Sequence, residues 1–252
     1  MKMKNFSIGL VATLIVAVVI LSACAQTAAP TSSPPDPNTL AHAGRLYDKW
    51  WTEVGQDVPS GDNPVWSRQT TNTRSGADTW RCKECHGWDY KGVDGAYGSG
   101  SHKTGFPSLL QASEKPREDL IKQLKGEIDS QHNFSSLTDV HIGHLVDFLK
   151  WGMIDDSKYI DYSTKKAIGA DVAHGEELYA SACAACHGAD GKTIDIDGAG
   201  VGAIAKGNPW ETLHKIRFGQ TGSNPPMPAG VANGWSTEDA ADVLGYAQTL
   251  PE

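Results

Sequence analysis

Apolar residues recur along this chain at helical spacing. Ala41-His-Ala-Gly-Arg-Leu-Tyr47 and Ala173-His-Gly-Glu-Glu-Leu-Tyr179 each read as the start of an amphipathic helix with a paired Leu-Tyr. Ile142, Leu145, Val146 and Leu149 predict a helix over roughly Leu137–Trp151, capped by Thr138 or Ser136. Ala240, Val243, Leu244 and Ala247 predict a second such helix, and Ser236 with Asp239 forms a capping-box variant at its start. No long alternating run suggests a sheet, so the pattern predicts an all-α chain.

The same order of features occurs twice. After each Leu-Tyr comes Cys-x-x-Cys-His-Gly, at Cys82–Gly87 and Cys183–Gly188. Each motif precedes a Gly- and Asp-rich loop, a short helical stretch, a polar turn and a final helix. The copies differ between Tyr47 and Cys82, where a long stretch holds Trp50, Trp51, Trp66 and Trp80 among Pro59, Gly61 and Pro64. It reads as an ordered insertion whose aromatics fill the core or cover a cofactor edge.

Ahead of the repeats, Lys2 and Lys4 precede an apolar run from Ile8 to Leu21, then Ser22-Ala23-Cys24. That order is a secretory signal. Leu21-Ser-Ala-Cys24 also resembles the lipobox of bacterial lipoproteins, which implies cleavage before Cys24 and acylation of its thiol. Gln26–Asn38, with Pro30, Pro34, Pro35 and Pro37, is a loose tether. The expected divisions are 1–23 signal peptide, 24–38 lipidated cysteine and linker, 39–160 first domain with the Trp-rich insertion, and 161–252 second domain.

The 22 basic and 30 acidic side chains give a net charge of −8. Cleavage removes Lys2 and Lys4, and 20 against 30 leaves −10. This excludes the basic face that nucleic acids need and suits steering towards basic partners. Hydrophobic residues make up 39% and aromatics 8%, lean for two cores unless a large apolar cofactor fills each.

Five cysteines are present. Cys24 ends the apolar run, and Cys82, Cys85, Cys183 and Cys186 form the two motifs. Cysteines three apart on a helical turn face the same way and reach both vinyl groups of one haem, while the next residue turns its imidazole to the iron. A zinc site would instead pair two C-x-x-C units around one ion. Here each unit has its own histidine and lies far from the other. The reading is two haems c, with His86 and His187 as proximal ligands.

On these motifs, Leu40–Pro251 resembles class I-like cytochrome c domains, twice over. The resemblance implies two tandem haem domains. It also implies a proline after the motif whose carbonyl orients the proximal imidazole. Pro107 matches; the second repeat has Gly200-Val-Gly-Ala there. The family's distal ligand is a methionine before the last helix, which Met227 in Asn224-Pro-Pro-Met-Pro matches. The first repeat has no methionine there; aligning Leu120–Gly126 with Leu213–Gly219 puts His132 in its place. Bis-histidine ligation by His86 and His132 is therefore expected, with Met153, His102, His141 and His144 as rivals. His42, His174 and His214 read as surface or capping residues.

Two strong ligands on each iron leave no open position, so the chain reads as an electron-transfer protein and not an enzyme. Imidazole donates better than a thioether, so the first haem sits lower in potential. The partners are a redox donor and acceptor, with the membrane surface engaged through Cys24, at the cell envelope of an exporting cell. The alternative is a dihaem oxidoreductase, thiosulfate dehydrogenase-like or peroxidase-like, with haem 1 as the active site. The resemblance to the former implies a cysteine ligand, and no cysteine is spare.

Overall fold

The computed structural model describes residues 33–196 and 198–252. The signal segment, Cys24 and most of the tether lie outside the described residues. Nine α-helices form: α1 Pro37–Glu53, α2 Cys82–His86, α3 Arg117–Leu124, α4 Asp139–Asp147, α5 Val172–Ala182, α6 Ala184–His187, α7 Val201–Gly207, α8 Pro209–Phe218 and α9 Thr237–Ala247, all counted among the described residues. Among these residues only isolated bridges occur and no strand. The all-α expectation holds. No helix of the described residues is long and apolar enough to cross a membrane.

Helix α1 begins where Asp36 accepts from the amides of Asn38 and Thr39 at 3.0 and 3.1 Å, with Pro37 in the first turn. Its buried stripe is Ala43, Leu46, Tyr47, Trp50 and Trp51. Thr138 caps α4 through the amide of His141, and α9 opens with the full Ser236–Asp239 box. The predicted helix over 137–151 stays α-helical only to Asp147. A π-helical turn, Phe148–Gly152, completes it and buries both Phe148 and Leu149.

The insertion is ordered into two short 3₁₀ turns, Pro64–Arg68 and Gly76–Trp80. Trp50, Trp51 and Trp66 are buried, and Trp80 lies partly buried against the first core. Trp50 and Trp51 belong to the first core, and Trp80 lines the cavity beside it.

Apolar side chains gather into two clusters. One draws on α1, α3 and α4 with Tyr90 and Phe134; the other draws on α5, α8 and α9. They exchange residues: Phe218 packs in the first cluster, while Trp88 and Tyr97 pack in the second. Residues Pro34–Glu252 accordingly form one compact unit. At the join, a Cβ on Gly44 would sit 2.2 Å from the Phe218 ring, so only glycine admits this approach.

His214 was expected at the surface, but it is 2% exposed within that join. Its Nε2–H donates to the Gly44 carbonyl at 3.0 Å, because a carbonyl only accepts. Nδ1 must then accept from the Tyr90 hydroxyl at 2.8 Å. Burial drives its pKa down to about 3.

Candidate haem sites

Each Leu-Tyr tyrosine has the same task. Tyr47 donates to the carbonyl of Gly87 at 2.6 Å, and Tyr179 donates to that of Gly188 at 3.0 Å. Both glycines adopt positive φ, 76° and 80°, and end the Cys-x-x-Cys-His turn in the same way. The opening helix of each repeat thus anchors its motif by one hydrogen bond.

In the first repeat, Cys82, Cys85, His86 and His132 line one cavity of about 460 Å³. Leu120, Leu124, Leu145, Phe148 and Leu149 supply apolar wall, with Trp80 and Phe134 beside them. Such a volume suits an organic cofactor. The His86 and His132 rings lie edge to face, with centres 6.5 Å apart and planes at 74°. These two side chains would hold the iron of a cofactor seated in the cavity, each offering one imidazole nitrogen. His86 Nδ1 donates to Pro107 O at 2.9 Å, and His132 Nδ1 donates to Gln123 O at 3.3 Å. Both tautomers leave Nε2 with a free lone pair, the form a metal requires. Burial lowers the pKa of His86 to about 4 and that of His132 in the same direction.

The rivals for the distal place stand elsewhere. His102 stacks on Tyr97 at 4.6 Å and lies 3.8 Å from Glu84. Met153 packs against the first core. His141 and His144 gather with His42.

The second motif straddles two helices: Cys183 ends α5 and Cys186 and His187 sit on α6. Cys186 is exposed and Cys183 half-buried. His187 Nδ1 is buried with no hydrogen-bond partner among the described residues, in contrast to His86. Met227 lies between α8 and α9, half-buried, its amide donating to Ser223 Oγ at 2.8 Å. Its carbonyl presses on Gly219, where a Cβ would lie 2.7 Å away and φ is +82°. Burial raises the thiol of Cys82 to about 12 and that of Cys183 to about 11, and pushes Cys85 up as well. Such thiols are poor free nucleophiles.

The donor set fits covalent haem in the first cavity: two thiols on one turn and two carbonyl-anchored imidazoles around an apolar hollow. The second set offers the same thiols and imidazole with a thioether loop.

Residues 170–246 match the family model described as cytochrome C oxidase, cbb3-type, subunit III, a similarity that supports haem-mediated electron transfer. The chain is also 36% identical over 86 residues to a protein named thiosulfate dehydrogenase from Allochromatium vinosum. That similarity covers 32% of this chain and 32% of the relative, so about a third of the curated relative's length is matched. No solved structure matches.

Proposed function

We propose that this chain is an exported electron-transfer protein carrying two haems c, one in each of two cytochrome c-like domains at 39–160 and 161–252. Cys82 and Cys85 hold the first haem, Cys183 and Cys186 the second, and Cys24 carries the lipid that keeps the protein at the cell envelope. The haem supplies a one-electron iron couple; the protein sets its potential.

One observation carries the reading: His86 and His132 line one apolar cavity with ring centres 6.5 Å apart, each with its Nδ1 committed to a backbone carbonyl. Both carbonyl bonds raise the basicity of the free nitrogens and favour the oxidised state. His187 lacks that partner, and Met227 is a weaker donor than imidazole. Both differences put the first site below the second in potential, so an electron moves downhill from the first repeat to the second. An acidic exterior steers a basic donor or acceptor protein.

A redox titration followed by electron paramagnetic resonance tests this. Two low-spin species, one bis-histidine at lower potential and one His/Met at higher potential, are expected. His132→Met should raise the lower potential alone. A single haem per chain, or a lower potential unmoved by that substitution, rejects the assignment.

The similarity to a protein named thiosulfate dehydrogenase supports a second reading, a dihaem oxidoreductase with its active site in the first cavity. An enzyme there needs one iron position to open, and both imidazoles are held by backbone carbonyls. Rapid carbon monoxide binding to the reduced protein favours the enzyme; none favours electron transfer.

A further inference from the structure

The two repeats place a three-residue cluster at the same point of their folds. His42 lies five residues before Tyr47, and His174 lies five before Tyr179. His141 and His144 are the third and sixth residues after the cap Thr138; Asp239 and Asp242 are the third and sixth after the cap Ser236. In the second repeat the cluster balances itself. His174 Nδ1 lies 3.0 Å from Asp242 Oδ2 and 3.8 Å from Asp239 Oδ1, a base between two acids.

In the first repeat both acids are replaced by imidazoles. His42 Nδ1 meets His144 Nδ1 at 3.1 Å. The His141 ring centre is 5.7 Å from that of His42 and 6.4 Å from that of His144, and its Nδ1 is buried without a partner among the described residues. Glu53 stands 3.9 Å from His42 Nε2. None of the three histidines lines the haem cavity. Three imidazoles thus replace the base and two acids that join the same helices in the other repeat, and their lone pairs converge where α1 meets α4.

We propose that His42, His144 and His141 form a binding site for a divalent transition-metal ion that bridges α1 and α4. Nitrogen ligands on a tetrahedral ion with bonds of about 2.0–2.1 Å lie roughly 3.3 Å apart, close to the His42–His144 spacing. His141 joins by turning its side chain inward, and water completes the shell, since Glu53 is paired with Arg45 at 2.7 Å. Imidazole donors select zinc, copper or nickel over magnesium or calcium.

Zinc is the probe. Untagged, haem-loaded protein is stripped with chelator and titrated with zinc by calorimetry. One ion per chain is expected, with the haem spectrum unchanged. His42→Gln and His144→Gln should each weaken binding by about 100-fold or more, whereas His174→Gln, which removes the imidazole of the other group close enough to hold an ion, His174 with Asp239 and Asp242, should leave it unchanged. Zinc-edge X-ray absorption of the unmutated protein should report imidazole nitrogens, a readout independent of any variant's folding. Absence of stoichiometric binding, an all-oxygen shell, or loss of binding in His174→Gln instead of His144→Gln overturns the proposal.

Discussion

A single hydroxyl ties each opening helix to its Cys-x-x-Cys-His motif. Tyr47 and Tyr179 are both buried, and each spends its proton on the carbonyl of the glycine after the histidine. Removing the hydroxyl leaves that carbonyl without its donor, which costs about 1–3 kcal/mol when water cannot reach it. Tyr47→Phe should therefore lower stability by roughly that amount, read by urea denaturation of the holoprotein. Tyr179→Phe should fall at the lower end, since its hydrogen bond is only part-buried. The Leu-Tyr pair was visible in both repeats as an apolar element of a helix. Its hydrogen bond was not, because the partner lies forty residues away in the first case and nine in the second.

Among helices, the opening and closing elements of each repeat pack on each other at matched positions. Ala43 and Gly175 both stand four residues before their tyrosine, and both are buried. The first repeat has room for the methyl group. In the second, a Cβ on Gly175 would lie 2.0 Å from the backbone oxygen of Asp242 in α9, so the helices must part to admit it. Alanine adds helix propensity of about 1 kcal/mol over glycine, against overpacking of about 1–3 kcal/mol. Gly175→Ala should thus be net destabilising by about 1 kcal/mol, and thermal unfolding should show the midpoint fall. The caps at Thr138 and Ser236 were readable from sequence because capping is local. The π-helical turn after Asp147 was not, since it answers to the core that receives Phe148 and Leu149.

Across the whole molecule, His214 joins the two cores. It hydrogen-bonds to Gly44 and Tyr90 in the first half from a helix of the second. Burial keeps it neutral, with a pKa down to about 3; Arg217 and Lys215 push the same way, and Asp48 opposes them. Below the ordinary value of 6.5 the unfolded chain therefore binds a proton that the folded chain refuses. Stability should fall as pH drops from 6.5 towards about 3. His42, lowered to about 4 chiefly by burial, adds a similar slope. His214→Gln retains a donor and an acceptor but no titration. Its stability, measured by denaturation at each pH, should decline less steeply over that range.

What the sequence determined by itself was local chemistry: two Cys-x-x-Cys-His turns, the helical period, the caps and the repeated order of features. These follow from spacing along the chain, which residues near in sequence cannot escape. Aligning the repeats also singled out His132, because equal order along two chains of one plan puts equal positions at one place. Tertiary structure alone decided which nitrogen of His86 and His132 is free, since Pro107 and Gln123 had to arrive from other turns. It also decided that His214 is buried and that His42, His141 and His144 meet. The exchange of Phe218, Trp88 and Tyr97 between the cores belongs to the same level. Contacts between distant segments depend on how two amphipathic faces settle against each other, and no local pattern records that choice.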